Sequence, residues 1–363
     1  MNFERIDDKR APSPGGTHVV FITSPLEGLH VERIRASAPD DVEVIFEPEL
    51  LPPTRYIGDH KGRDGFKRTD AQNRRWREAL SRATILWDFP TGSKEEQGLA
   101  LAPNVRWVQT TSSGVGQQVH ALGLSKSDLI VTTARGVHAG ALAEFALLVM
   151  LAHEKDLPRL EREQKAHHWE RYCCGELSGK VLAIIGAGQV GSRIAAIATA
   201  FGMTIKAVVN HPSPERRAEL HTIDIVGPAH LHATLATADY VVLCIPHTPQ
   251  TDRMIDSKAF AAMKRGAVLI NIARGQVVDE SAMIDALGSG QLAYAGLDVA
   301  AIEPLPPASP LWSMPNVLIS PHSASTAPSE NGQIVDIFID NLRFYASGQM
   351  ERMINVLDKT RMY

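Results

Sequence analysis

The sequence predicts an α/β protein built of two doubly wound parallel sheets, on three observations. Short apolar runs recur along the chain and alternate with helical stretches, as in a parallel sheet covered on both faces. At 363 residues the chain exceeds what one hydrophobic core serves, so two domains are expected. A glycine-rich turn joins one of the apolar runs directly to an apolar helix.

The elements follow in order. Residues up to Gly16 are polar and rich in Pro and Gly, which reads as a loose leader. His18 to Ile22 and Val42 to Phe46 are the first strands. Pro52, Pro53, Gly58, Gly62 and Gly65 lie among charges and make Leu51 to Asn73 a long loop. Arg74 to Leu80 is helical. Thr84 to Trp87, Val105 to Gln109 and Leu129 to Thr132 are strands, and Ala139 to His153 is a buried apolar helix. In the second half the expected strands are Val181 to Ile185, Thr204 to Val209, Tyr240 to Ile245, Ala267 to Asn271, Ala293 to Leu297 and Val317 to Ile319. The helices between them include Ile194 to Phe201, Ser257 to Ala262 and Glu280 to Leu287.

Composition excludes several classes. A net charge of −4 with no basic block gives nucleic acid no footing. The charged N-terminus does not suit a signal peptide, and the apolar run Phe145 to Ala152 is far too short to span a bilayer. Three cysteines argue against a disulfide framework and suit a reducing cytoplasm. No metal site is expected: Cys173–Cys174 and His167–His168 are adjacent pairs without a second pair of ligands at a useful spacing.

Two features carry chemistry. Val181 to Ile185 runs into Gly186-Ala-Gly-Gln-Val-Gly191, which matches G-x-G-x-x-G between a strand and a helix. There the first glycine allows the tight turn, the second lets the backbone approach a pyrophosphate, and the third lets helix and strand pack closely. The helix N-terminus then faces the phosphates. Further on, Arg274, Glu303 and His322 each follow a short apolar run. Ligands of open α/β sheets sit beyond the carboxyl ends of the strands, so a guanidinium, a carboxylate and an imidazole are expected to share one cleft.

Gly186 to Gly191, Asn271-Ile-Ala-Arg-Gly275, Asp298-Val-Ala-Ala-Ile-Glu-Pro-Leu-Pro306 and Ser320-Pro-His-Ser-Ala324 resemble the signatures of the D-isomer-specific 2-hydroxyacid dehydrogenases. Trp169, Gly175 to Lys180 and Thr248-Pro-Gln-Thr251 fit the same pattern. The close match runs from about Ala134 to His322. The resemblance implies a Rossmann-type dinucleotide-binding domain over 137–324. A flavodoxin-like substrate domain would span 1–136 and be completed by 325–363. It implies NAD or NADP as cofactor, held by Gly186, Gly188, Gln189, Val190, Gly191, Asn210, Pro246, Thr251, Ile272, Asp298 and Ala324. Asp298 would accept from the nicotinamide carboxamide. Ser113, Gly114 and Val115 would bind the substrate carboxylate through backbone N–H groups. A homodimer is implied, to which the helix Ala139 to His153 is apolar enough to contribute, although core burial explains it equally well.

The chemistry suits these residues. Reducing a 2-oxo acid to a 2-hydroxy acid needs a hydride on carbon and a proton on oxygen. Imidazole titrates near working pH, at about 6.5, so His322 is the candidate acid, and Glu303 the carboxylate that favours its charged form and fixes its tautomer. The competing reading is a satisfied core histidine among 14 histidines. Arg274 can grip a carboxylate with its planar fork; the competing reading is a surface arginine paired with Asp279 or Glu280.

One departure concerns the cofactor. A site for NAD usually offers Asp or Glu to the adenosine ribose after the second strand. Here the chain reads Val208-Val-Asn-His-Pro212, with Arg216 and Arg217 later. The absence of an acid removes the main bar to NADP, which is slightly preferred; a relaxed NAD site using Asn210 alone is the other reading. Two alternative functions share the fold: a formate-type dehydrogenase, which typically has glutamine where this chain has Glu303, and a non-catalytic nucleotide sensor.

Overall fold

The computed structural model describes residues 18–90, 99–220 and 224–362; the expected leader lies outside them. The chain divides into two compact units. Unit 1 comprises the described residues of Met1–Val137 and Ala327–Tyr363, and unit 2 those of His138–Thr326.

Unit 1 holds the strands β1 (His18–Ile22), β2 (Val42–Ile45), β3 (Ile85–Trp87), β4 (Trp107–Gln109) and β5 (Ile130–Thr132). They form one parallel sheet in the order β2-β1-β3-β4-β5. The chain steps outward from β1 to β2, then back across to β3, so the switch point lies between β1 and β3. Apolar side chains leave both faces of the sheet. On one face, Trp107 stacks on Phe338 at 5.1 Å and Trp87 meets it edge-on at 5.5 Å. Phe338 belongs to the helix Glu330–Ala346, which also buries Ile334, Val335 and Leu342. Each such fully buried side chain contributes about 1.5–3 kcal/mol. The other face packs on Trp76 and Leu80 of the helix Asp70–Arg82. Thr69 and Gln72 cap that helix reciprocally, so it starts at Asp70, inside the segment expected as loop, and extends past both ends of the expected Arg74 to Leu80.

Unit 2 holds β6 (Val181–Ile185), β7 (Thr204–Val208), β8 (Asp224–Val226), β9 (Tyr240–Leu243), β10 (Ala267–Asn271), β11 (Leu292–Leu297) and β12 (Val317–Ile319). All are parallel, in the order β12-β11-β10-β9-β6-β7-β8, with the switch point between β6 and β9. Every apolar run expected as a strand forms one, with ends shifted by at most two residues. The half-buried edge strand β8 was not expected, because three residues with one acid give no periodic signal.

The glycine-turn helix spans Gln189–Ala200, not Ile194 to Phe201. Its first turn, Gln189 to Ser192, has Val190 as its one apolar side chain beyond glycine, which hides it from a reading based on apolar content. The helix Ala139–Glu154 buries Ala143, Ala146, Val149 and Met150 and packs on the helix Gln189–Ala200, so core burial accounts for much of its apolar character. No helix among the described residues is long and apolar enough to cross a membrane.

Candidate active site

The residues singled out in unit 2 all lie at or just beyond the carboxyl edge of its sheet, and the geometry explains why the sequence turns as it does there. After β6, Gly186 adopts φ +90°, and a Cβ on it would meet Ile245 Cγ2 at 2.4 Å and Cys244 O at 2.9 Å. Only glycine fits where the ends of β6 and β9 come together. Gly191 is equally constrained: a Cβ there would lie 2.6 Å from Gly186 O. Gly188, the N-cap of the helix, differs, since a Cβ on it would meet nothing within 4 Å. The turn is closed on the protein side and open on the side a phosphate would approach, and the N–H groups of Gln189 and Val190 open the helix there. These residues fit a dinucleotide pyrophosphate.

Neighbouring strand ends complete that edge. Thr251 Oγ1 donates to Pro246 O at 2.7 Å and accepts from Thr248 N at 2.8 Å, which closes the turn after β9. Asn210 follows β7. Arg216, in the short helix Pro214–Glu219, donates to Ser192 Oγ at 3.3 Å, on the first turn of the helix Gln189–Ala200. Ile272 is buried directly after β10.

Arg274, Glu303 and His322 are brought together. Asn271, 2% exposed at the end of β10, accepts from Ala273 N and donates to the Arg274 carbonyl, both at 3.1 Å. Gly275 must be glycine, because a Cβ would lie 1.9 Å from the Ala300 carbonyl. Burial pulls the Arg274 guanidinium below its ordinary pKa, and the charges of Glu303 and Asp298 oppose it. Asp279 caps the helix Glu280–Gly288, and Glu280 accepts from Ala301 N. The carboxylates acting on Arg274 are therefore not those of the surface-arginine reading.

Glu303 Oε2 lies 2.7 Å from His322 Nδ1, and its Oε1 accepts from Ala300 N at 3.2 Å. Burial pushes this carboxyl up, but the His322 hydrogen bond, its charge and the Ala300 N–H outweigh burial and hold it below its ordinary value. A carboxylate only accepts, so Nδ1 carries the hydrogen and Nε2 is the nitrogen left for a reacting group. His322 is 42% exposed at its side chain, which rules out a core histidine. Its backbone sits at φ +54°, a strained conformation held by bonds from His322 N to Asp298 O and Ser320 O at 2.8 and 2.9 Å.

Asp298 is the organiser of this edge. Its Oδ1 accepts from Ser320 Oγ, Ser323 N and Ala324 N at 2.7, 2.9 and 2.9 Å, and it is 2% exposed. One carboxylate oxygen thus pins the loop that carries His322. Asn271, Gly275 and Ser320 stand in the signatures read from the sequence but were given no role there, although a glycine directly after a strand-end arginine is a readable sign of close packing.

Ser113, Gly114 and Val115 belong to unit 1. They follow β4, where Thr110 Oγ1 donates to Ser112 O at 2.8 Å. Gly114 N donates to Ser112 Oγ at 3.3 Å, and Val115 is buried as N-cap of a short helix.

A strand-ordered parallel sheet with this glycine turn defines a dinucleotide-binding α/β protein. Residues 147–324 match the model of the D-isomer specific 2-hydroxyacid dehydrogenase NAD binding domain. The chain is 34% identical to a D-3-phosphoglycerate dehydrogenase of Mycobacterium bovis over 69% of its own length and 47% of that protein's. It thus spans about half the length of that relative. It is 31% identical to a glyoxylate reductase of Korarchaeum cryptofilum, over 69% of this chain and 75% of that protein. A D-isomer specific 2-hydroxyacid dehydrogenase of Xanthobacter autotrophicus, solved with NADPH and MES, superposes with a TM-score of 0.74 at 28% identity, covering 96% of this chain and 100% of that one. The chain belongs to the D-isomer-specific 2-hydroxyacid dehydrogenase family.

Proposed function

We propose that this protein reduces a 2-oxo acid to the D-2-hydroxy acid with NADPH or NADH. The observation that carries the reading is the 2.7 Å His322–Glu303 pair beside the half-buried Arg274 at the sheet's carboxyl edge. Reduced nicotinamide, when bound, supplies the hydride. His322 gives the proton on Nε2 to the ketone oxygen, while Glu303 fixes the ring and balances its charge. Arg274 grips the substrate carboxylate and offsets charge developing on the ketone oxygen. Ser113, Gly114 and Val115 add backbone N–H groups, the long Gly114–Ser112 bond being one that a carboxylate can replace. Asp298 presents its remaining oxygen to the nicotinamide carboxamide. The relatives are named for glyoxylate and for phosphoglycerate, so the arm beyond the 2-oxo acid differs among them. Turnover of a panel of 2-oxo acids with each reduced cofactor tests the reading; binding of both cofactors without turnover of any 2-oxo acid would leave a sensor.

NADPH is the slightly preferred cofactor. No acid stands in Val209 to Ser213, directly after β7, and Arg216 lies against the first turn of the phosphate-facing helix. The Xanthobacter relative solved with NADPH supports this. Titration with both cofactors decides, and Asn210→Asp is expected to shift preference toward NADH by about tenfold in kcat/KM, or about 1.4 kcal/mol. A clear preference for NADH in the unmodified protein overturns the argument. The protein acts in the cytoplasm, its three cysteines free, as a homodimer. Trp169, 95% exposed, with the exposed Leu148 and Leu160 of unit 2, supports such an interface, and light scattering measures it.

A further inference from the structure

Unit 1 has its own switch point, and the groups gathered there are unlike those of unit 2. β1 runs on into Thr23 and Ser24, and β3 into Asp88. Thr23 Oγ1 donates to the carbonyls of Trp87 and Asp88, both at 2.8 Å. Asp88 takes φ +71°, a conformation a non-glycine residue holds only where its surroundings impose it. Its Oδ2 accepts from Thr111 Oγ1 at 2.6 Å and its Oδ1 from Phe89 N at 2.9 Å. Burial holds this carboxyl above its ordinary value, against the opposing influence of His60 and these hydrogen bonds.

The surroundings are acidic. His60 Nε2 lies 3.3 Å from Glu330 Oε1, and Asn331 Nδ2 donates to Glu27 Oε2 at 2.7 Å. Three carboxyl groups, of Asp88, Glu330 and Glu27, thus gather about one imidazole and one amide. Ser24 Oγ, His60 Nδ1 and Asn331 Oδ1 are buried with no hydrogen-bond partner among the described residues, Ser24 being 2% and Asn331 3% exposed. Buried polar atoms are normally satisfied, so such a group calls for a partner. A carboxylate at Glu27 fixes the orientation of the Asn331 amide, which leaves its oxygen as an acceptor in want of a donor.

We propose that Asp88 determines which 2-oxo acids are accepted: it admits those whose arm beyond the ketone is uncharged and hydrogen-bonding, and turns away arms ending in carboxylate or phosphate. The inference rests on the function proposed above, because Asp88 holds Thr111, which leads into the turn Ser112–Val115 assigned to the substrate carboxylate. An anionic arm beside this cluster meets enclosed carboxyls. A hydroxyl or amide arm supplies the donors that the buried acceptors lack.

The test varies one charge on each side. 2-Oxobutanedioate and its 4-amide have the same shape and differ by one charge, and Asp88→Asn replaces the enclosed carboxyl by an amide of the same shape. Asparagine also tolerates a positive φ. The ratio of kcat/KM for the two substrates is independent of the fraction of folded enzyme, so partial misfolding of the variant does not blur it. The unmodified protein is expected to favour the amide by roughly a hundredfold, and Asp88→Asn to narrow that ratio at least about tenfold. An equal ratio in both proteins, a preference of the unmodified protein for the dicarboxylate, or reduction of glyoxylate with neither four-carbon substrate accepted overturns the assignment of Asp88. Failure to reduce any 2-oxo acid overturns the proposed function itself, and this inference with it.

Discussion

Asp59 is the hub of the loop that carries His60, and Asp59→Asn should unfold unit 1 early. Its side chain is 1% exposed. Oδ2 accepts from Arg55 N and Nε at 2.9 and 2.8 Å, and Oδ1 from Arg55 Nη2, Lys61 N and Gly62 N at 2.8, 3.1 and 3.0 Å. The Arg55 hydrogen bonds and those from the loop N–H groups, against the cost of burial, hold this carboxyl well below the usual carboxylate range. An amide replaces one accepting oxygen with a donor, so whichever way it turns, at least two N–H groups face another N–H. Arg55 is 40% exposed and regains water, which discounts its share. With the new nitrogen in the Oδ1 place the buried Gly62 N–H does not, and an orphaned buried donor costs about 1–3 kcal/mol. With the lost charge, a net loss of about 3 kcal/mol is expected. Urea unfolding followed by tryptophan fluorescence reads this unit selectively, because Trp76, Trp87 and Trp107 are buried in it while Trp169 and Trp312 of unit 2 are exposed. At a slope of about 2–3 kcal/mol per molar urea the midpoint falls by roughly 1 M. The sign with pH follows from the depressed carboxyl. Its contribution is fully present above the ordinary carboxylate value of about 3.9 and is lost as pH falls below that toward the folded value, so the two proteins converge in strong acid. Equal urea midpoints at pH 7 would refute the reasoning.

Arg274→Lys keeps the charge but loses the fork; KM for the 2-oxo acid should rise and kcat fall, whereas unchanged kinetics would place the guanidinium elsewhere. Gly191→Ala should abolish binding of both cofactors, measured by fluorescence titration, since its Cβ would lie 2.6 Å from Gly186 O; normal affinity would contradict the turn geometry. Cys173 and Cys174 are exposed, while burial pushes the Cys244 thiol up to about 12. A disulfide reagent at pH 7 should therefore titrate two thiols quickly and the third only after unfolding.

Legibility followed periodicity. Buried parallel strands are near-continuous apolar runs, so β6, β10 and β12 could be read to the residue. β8, with three half-buried residues, could not. Helices whose buried face is narrow were also silent: Gly28–Ser37 buries only Val31 and Ile34. In the candidate site, charged residues after strand ends were visible, and Arg274, Glu303 and His322 do meet. What could not be read was the support between strands distant in sequence, such as Asp298 Oδ1 with Ser320 and Ala324. The cluster at Asp88 was invisible for the same reason: it joins β1, β3, the 51–69 loop and the helix Glu330–Ala346, and no single stretch of chain announces it.

The central claim is that His322 gives up the proton. The rate of reduced-cofactor oxidation in a single turnover with saturating 2-oxo acid tests it most directly, in the unmodified protein and in His322→Asn. The account predicts a fall of roughly two to four powers of ten, with the dissociation constant of the reduced cofactor almost unchanged. A His322→Asn protein that turns over at the normal rate would contradict it.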